Sequence, residues 1–185
     1  NKVLLSSLDE IAWILNVRGA DIEYNPLVIS YLLVSQDYVK WFVRKSASYG
    51  DVDPDTADSF TELQFDGVSV EDYDAVYMGL ADFGGEDSAG AIFVDPSTLN
   101  CHVADYLETV FTRQGIVRGV SPVILEKSVK SPSEIAHLRQ TFIDDGVAME
   151  CFLHWLDEEV ATGREVTEWE ASEKLTEFRS EIPGY

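Results

Sequence analysis

The sequence contains little cysteine, little positive charge and no long apolar run, and each shortage excludes a class of protein. Two cysteines, Cys101 and Cys151, are too few for a disulfide framework and indicate a reducing, cytosolic setting. No stretch approaches the roughly 18 consecutive apolar residues that a membrane-spanning helix needs. The N-terminus, NKVLLSS, lacks the charged and apolar regions of a secretory signal peptide. These shortages predict a cytoplasmic protein without a membrane partner.

Basic residues are scarce: 13 Lys and Arg face 34 Asp and Glu, which gives a formal net charge of −21. A field of this sign repels phosphate backbones, so nucleic acid is not an expected partner. It would attract cationic ligands or metals, and a solvated acidic surface is the simpler interpretation. The 185 residues are 45% hydrophobic, enough for one globular domain with a real core, or for one domain plus part of another.

Hydrophobic patterning over residues 1–130 predicts alternating strands and helices, and hence an α/β fold with a mixed sheet. Ser7 with Glu10 predicts a capping box for a helix that ends near Gly19. The other predicted elements are a strand at KVLLSS, a hairpin of LVISYLLVS and YVKWFVRK, an acidic loop at YGDVDPDTADS, a strand at FTELQF, a helix at VEDYDAVYMGLA, a turn between Gly84 and Gly90, a strand at AGAIFVD, a helix at STLNCHVADYLETVF and a last strand at PVILEKSVK.

The pattern changes after Lys130, where two amphipathic helices are predicted. Capping boxes begin them, at Ser131 with Glu134 and at Thr167 with Glu170. Their apolar residues repeat at helical spacing: Ile135, Leu138, Phe142, Phe152, Leu156, Trp169, Leu175 and Phe178. Such stripes must be buried against something, and no sheet follows. Residues 131–185 are therefore predicted to begin a second domain whose body is missing, in a segment of a longer protein.

One acidic stretch has part of the spacing of a calcium-binding loop. Asp51, Asp53, Asp55 and Glu62 occupy positions one, three, five and twelve of that pattern. Thr56 stands at position six, where the turn of such a loop requires Gly. An acidic surface loop is therefore the favoured interpretation, and no metal ligand is assigned.

The long C-terminal helix carries a second carboxylate pattern, Glu150, His154 and Glu158, on one face. A di-metal site needs matching groups from other helices, so a solvated face is favoured. Cys151 lies close to the apolar stripe and is predicted to be a core thiol. The adjacent Cys101–His102 pair points in different directions on a helix, and no nucleophile elbow or phosphate loop is present. No catalytic residue is assigned.

Hydrogen-bonding side chains are concentrated where the first predicted helix ends: Asn16, Arg18, Asp21, Tyr24 and Asn25. Polar residues in a turn are usually local scaffolding. The local interpretation is that Arg18 pairs with Asp21 and that Tyr24, Asn25 and a following proline set the entry into the next strand.

The same stretch carries a family resemblance. LDEIAWILNVRGADIEYNPLVISYLLV, residues 8–34, closely resembles the middle domain of cytosolic-type Xaa-Pro aminopeptidases, or aminopeptidase P. SPVILEKSVKSPSEIAHLRQTFIDDGVAM and VTEWEASEKLTEFR resemble the entry into the catalytic domain of that family, and IFVDPSTLNCHVADYL is more loosely similar. The resemblance therefore spans nearly the whole chain.

The resemblance implies a creatinase/prolidase N-terminal-type mixed sheet over residues 1–130, followed at 131–185 by the first helices of a truncated pita-bread domain. In that family the catalytic domain holds two divalent ions, usually manganese, through two Asp, one His and two Glu. The order of the matching blocks places all of these ligands after Tyr185. The parent enzyme would remove an N-terminal residue that precedes proline, whereas this piece is expected to bind no metal and to be non-catalytic.

The resemblance also gives the polar turn an expected role. In creatinase-like enzymes this region leans toward the catalytic cleft, sometimes that of a partner subunit. Asn16, Arg18, Asp21, Tyr24 and Asn25 are therefore the expected substrate-cleft or interdomain residues. The implied partners are peptides with proline at the second position and the chain's own catalytic domain, with a homodimer left open. The alternative is a catalytically silent module that binds peptides or proteins, for which the acidic charge suits a basic partner.

Overall fold

The computed structural model describes residues 2–44, 67–84 and 90–185 and divides the chain into two units, residues 1–128 and 129–185. Unit 1 contains a mixed sheet with helices, and unit 2 contains two helices. The predicted acidic loop YGDVDPDTADS with its calcium-type spacing, the predicted strand FTELQF and the interior of the predicted turn between Gly84 and Gly90 lie outside the described residues.

Unit 1 is built on a six-stranded sheet with the strand order β4-β3-β2-β1-β5-β6. Its strands are β1 (Lys2–Leu5), β2 (Ser30–Val34), β3 (Val39–Val43), β4 (Val68–Asp72), β5 (Ile92–Val94) and β6 (Ile116–Arg118). β2 runs antiparallel to β1 and β3, whereas the β3–β4, β1–β5 and β5–β6 pairs are parallel. The predicted mixed sheet and the β2–β3 hairpin are therefore confirmed.

Helices cover both faces of this sheet. They are α1 (Leu8–Leu15), α2 (Val76–Gly84), α3 (Cys101–Val110) and α4 (Pro122–Ser128). Leu32 and Trp41 pack into one buried cluster with residues of α1 and α4, whereas Leu33 and Phe42 pack into another with residues of α2 and α3. Since successive strand residues point to opposite faces, a sheet buried on both sides needs continuous apolar runs such as YLLV and WFV.

The last predicted strand is wrong, because PVILEKS forms α4 and the final strand is β6. A serine followed by a proline is a helix start: the Ser121 hydroxyl accepts a hydrogen bond from the Val123 N–H at 3.3 Å, and proline suits the first helical position. Of the apolar run, Val123 is buried, whereas Ile124 and Leu125 are exposed. The hydrophobic run therefore belongs to a short amphipathic helix.

The predicted helix VEDYDAVYMGLA begins later than expected. Its first residues belong to β4, which pairs with β3 along its whole length. The Asp72 carboxylate then accepts a hydrogen bond from the Asp74 N–H at 3.1 Å and starts a 3-10 turn that leads into α2. Sheet pairing with a distant strand decides the boundary here.

Unit 2 consists of α5 (Pro132–Ala161) and α6 (Glu168–Ser180), and both predicted capping boxes are present. The Arg179 guanidinium on α6 donates to the Asp145 carboxylate on α5, with an Nε to Oδ1 distance of 2.7 Å. Large apolar side chains remain exposed along α5 and α6: Ile135, Leu138, Phe142, Ile143, Val147, Leu153, Val160 and Trp169. Among the described helices none is long and apolar enough to cross a membrane.

Glycine at position 79 allows α2 to pack closely against Phe42 of the sheet. A Cβ atom at this buried position would lie 2.6 Å from Cζ of Phe42, so we expect Gly79→Ala to lower the free energy of unfolding of unit 1 by about 2 kcal/mol. Gly146 in α5 is the matched helical control, because nothing lies within 4 Å of its added Cβ. Gly146→Ala should stabilise its helix by up to about 1 kcal/mol. Hydrogen exchange reports both helices separately, and unchanged protection of α2 in Gly79→Ala would contradict the prediction.

Candidate functional site

The polar loop, defined as residues 16–27, leaves the end of α1 and leads toward β2. Helix α1 ends at Leu15, and Asn16 follows in the left-handed conformation with φ of 51°. The Asn16 N–H donates to the Trp13 carbonyl, and the Val17 N–H donates to the Ala12 carbonyl. The prediction that α1 ends near Gly19 is wrong, because asparagine also adopts this C-terminal conformation.

Charged side chains of the polar loop bind backbone groups within the described residues. The Arg18 guanidinium donates to the carbonyls of Ala12 (3.1 Å) and Val17 (2.8 Å) at the negative end of the α1 dipole. The Asp21 carboxylate accepts a hydrogen bond from the Ile29 N–H at 2.8 Å. The local interpretation that Arg18 and Asp21 pair with each other is therefore wrong, and each anchors one end of the loop.

Close backbone packing holds the two halves of the polar loop together. The Gly19 N–H donates to the Pro26 carbonyl at 3.3 Å, and a Cβ atom at Gly19 would lie 2.4 Å from Cγ2 of Val28. Between these halves the Asn25 N–H donates to the Ile22 carbonyl at 3.1 Å, which closes a tight turn. Glycine at position 19 serves this close approach.

The tip of the polar loop is strained and exposed. Tyr24 has φ of 61° and is 92% exposed. A bulky non-glycine residue in the left-handed region costs conformational energy, and such strain persists where surrounding contacts determine the backbone. The five residues expected at a site, Asn16, Arg18, Asp21, Tyr24 and Asn25, all lie on this exposed loop. Arg18 and Asp21 shape the loop, and Tyr24 and Asn25 lie at its tip.

A second polar cluster lies between α1, β5 and α4. Glu10 is 3% exposed, and its Oε2 accepts a hydrogen bond from the Ser121 hydroxyl at 2.5 Å. The Ser121 N–H donates to Oδ2 of Asp95 at 2.8 Å, and Oδ1 of Asp95 accepts from the N–H and hydroxyl of Ser97. These hydrogen bonds, led by the Ser97 hydroxyl, hold the pKa of Asp95 below its usual value. We call this set the Glu10–Ser121–Asp95 network.

The capping box predicted for α1 is wrong, because Glu10 belongs to the Glu10–Ser121–Asp95 network instead. The Ser7 hydroxyl donates to Asp9 at 2.5 Å rather than capping the helix, and Glu10 is directed to Ser121. The sequence pattern S-x-x-E is compatible with a capping box, but also with a helix whose glutamate points into the protein interior. The serine–proline pair at the start of α4 was the sequence signal that could have identified Ser121 as a helix start. No local pattern, however, links Ser121 to Glu10, which lies 111 positions earlier.

The remaining expected chemistry is not assembled in the described residues. Cys151 is exposed, so the predicted core thiol is wrong, because the face of α5 on which it lies is uncovered in unit 2. Glu150, His154 and Glu158 share one helix face, and His154 Nε2 lies 3.6 Å from Glu158. Within residues 2–44, 67–84 and 90–185, no three His, Cys, Asp or Glu side chains form a group that could hold a metal ion.

Comparison with known proteins places these features in one family. A family model described as the creatinase/prolidase N-terminal domain matches residues 1–134. The chain is 32% identical to the Xaa-Pro aminopeptidase ApepP of Drosophila melanogaster, covering 99% of this chain and 28% of that protein. It is also 32% identical to Xaa-Pro aminopeptidase 1 of Dictyostelium discoideum, covering 96% of this chain and 26% of that protein.

A solved structure shows the same architecture. The X-prolyl aminopeptidase of Caenorhabditis elegans, described as a cytosolic enzyme with a di-nuclear active site, matches with a TM-score of 0.77 and 25% identity. The match covers 100% of this chain and 29% of that enzyme. The chain therefore spans little more than a quarter of the length of these similar proteins.

The Asp21 hydrogen bond gives a direct test of loop rigidity. Asp21→Ala removes the acceptor of the Ile29 N–H, so we expect exchange of the Ile29 amide to accelerate about fivefold, or about 1 kcal/mol. Glu23→Ala is the matched control, since Glu23 is exposed on the same loop. NMR hydrogen exchange measures both variants, and equal Ile29 rates in the two would contradict this assignment.

Asp95 gives a pH-dependent prediction. Its folded pKa lies below the unfolded value of about 3.9, so its stabilisation is complete above about pH 5 and is lost as the pH falls through the folded pKa. We expect Asp95→Asn to destabilise unit 1 by about 2 kcal/mol at pH 7, with the difference from wild type shrinking below about pH 4. Urea unfolding at several pH values measures this. Asp105→Asn, on the exposed face of α3, is the matched control and should change the free energy of unfolding at pH 7 by less than about 0.5 kcal/mol.

Proposed function

Because the chain belongs to the creatinase/prolidase N-terminal domain family, we propose that it is a non-catalytic part of a Xaa-Pro aminopeptidase. Such an enzyme removes the N-terminal residue that precedes proline in a peptide. The observation that carries the proposal is that nearly the whole chain matches a segment of Xaa-Pro aminopeptidases, and that this segment is about a quarter of the length of each enzyme. The role of the piece is then to support a catalytic domain and to shape its cleft.

The described residues do not fit a metal centre, since no group of three metal-binding side chains occurs among them. The C. elegans enzyme is described as having a di-nuclear active site. By the family resemblance alone, we propose that the parent protein holds two divalent ions, manganese in that family, through ligands that follow Tyr185 in the order of the matching blocks. The cytosolic description of that enzyme supports a cytoplasmic location for the parent.

Unit 2 supplies the proposed junction with the catalytic domain. Helices α5 and α6 have capped N-termini and are joined by the Arg179–Asp145 ion pair. Of the residues in these two described helices, however, Ala148 alone is buried. Exposed apolar side chains such as Phe142 and Trp169 are costly on an isolated surface and are usually covered by a partner. We propose that they are the first helices of a pita-bread domain and pack against the residues that follow.

The polar loop is the proposed cleft-facing or interdomain element of unit 1. Arg18, Asp21 and the close approach at Gly19 hold its backbone, so Tyr24 and Asn25 are presented in a defined position. A rigid loop that exposes a tyrosine suits recognition, because tyrosine gives a large contact area at low entropic cost. Asn16 lies at the helix end that begins the loop.

A second candidate function is a catalytically silent platform that binds basic peptides. The net charge of −21 favours it through electrostatic attraction. Binding of basic peptides by the chain in moderate salt separates the two functions, because nonspecific attraction is screened there. Retention of such peptides at moderate salt would favour the platform.

Peptidase assays test the leading proposal. The 185-residue chain with Mn²⁺ should release no N-terminal residue from a peptide with proline at the second position, whereas a longer product of the same gene should do so. In that longer product we expect Tyr24→Ala to lower kcat/KM about tenfold, with Glu23→Ala near wild type. Hydrolysis by the chain alone, or an inactive longer product that binds manganese, would contradict the proposal.

A further inference from the structure

The two units are joined by a very short segment. Helix α4 is the last element of unit 1 and ends at Ser128, and α5 of unit 2 begins at Pro132. Residues 129–131 are therefore the only chain between the two helices. How freely the units move depends on how firmly α4 is attached to the rest of unit 1.

The start of α4 is fixed in the interior of unit 1. Ser121 is 1% exposed, and it bonds to both buried carboxylates of the Glu10–Ser121–Asp95 network. Val123, the second residue of α4, packs into the buried cluster that includes Leu5 and Ile11. Removing a hydrogen-bond partner from a buried charged group is costly, so this attachment resists separation.

The C-terminal end of α4 is attached to α1 at the protein surface. Lys127 forms an ion pair with Asp9, the residue before Glu10 on α1. The hydrogen bond from Lys127, followed by that from Ser7, lowers the pKa of Asp9. Attachment at Ser121 and at Lys127 holds both ends of α4, and a helix held at two points cannot pivot about either one.

The other side of the junction is equally well defined. The Ser131 hydroxyl accepts a hydrogen bond from the Glu134 N–H at 3.2 Å, and the Ser131 N–H donates to the Glu134 carboxylate at 2.8 Å. This capping box fixes the first turn of α5, which continues for 30 residues, or about 45 Å.

We infer that α1 and α4 form a clamp, through Glu10–Ser121–Asp95 and Asp9–Lys127, that keeps α4 on unit 1 and confines any motion between the units to residues 129–131. The clamp is a conformational device of the fold and does not depend on the proposed peptidase function.

The chain contains its own pair of labelling sites for a test. Cys101 on α3 and Cys151 on α5 are the two cysteines of the sequence, one in each unit, and both are exposed. Spin labels at these thiols give the distance distribution between the units by pulsed electron paramagnetic resonance. Hydrogen exchange of residues 122–128 reports the attachment of α4 independently.

We expect Ser121→Ala to accelerate amide exchange in α4 about tenfold and Lys127→Met about threefold, and both to widen the distance distribution. Ser128→Ala is the matched control, because the Ser128 hydroxyl bonds only to the Leu125 carbonyl of its own helix in the described contacts. It should change neither measurement. If Ser121→Ala does not fold, the surface variant Lys127→Met decides. Distributions equal to wild type in the folded variants, or equal widening in Ser128→Ala, would overturn the clamp.

Discussion

Ser121 is the residue on which the arrangement of unit 1 most depends, because its hydroxyl and its N–H satisfy two buried carboxylates. Glu10 comes from α1 and Asp95 from the end of β5, so one serine joins a helix, a central part of the sheet and the start of α4. A buried carboxylate without a donor is strongly destabilising. The position of α4, and with it the point where the chain leaves unit 1, follows from this requirement.

The polar loop depends on a different constraint, the need to pair backbone groups where a helix ends. The Asn16 N–H and the Arg18 guanidinium donate to carbonyls at the end of α1, and the Asp21 carboxylate accepts from the Ile29 N–H before β2 begins. The side chains of Arg18 and Asp21 therefore have a structural purpose. Tyr24 differs in that its side chain is almost fully exposed and its backbone has a positive φ. That difference makes Tyr24 the most informative residue of the loop for function.

Much of the architecture could be predicted from sequence, and two of the errors share one cause. The mixed sheet, the hairpin and the capping boxes of α5 and α6 follow from local patterns. The errors at Glu10 and at the start of α2 arise where a distant partner decides the outcome, whereas the error at α4 missed a local serine–proline helix start. Glu10 accepts a hydrogen bond from Ser121 rather than forming a capping box with Ser7. The first residues of the predicted helix VEDYDAVYMGLA belong to β4 and pair with β3. The place of the polar loop in a cleft depends on residues outside this chain, so it stays a prediction.

The strand order has a consequence for how the protein folds during synthesis. β1 precedes the other described strands of this sheet in the chain, yet one of its two neighbours is β5, about 90 residues later. The β2–β3 hairpin forms from local sequence, but the other edge of β1 remains open until Ile92–Val94 has emerged. An apolar edge left open in this way is prone to pair with other chains, and distant pairing is slow. In the nascent chain this edge of β1 therefore stays open to pairing with other chains until β5 has been made and has paired with it.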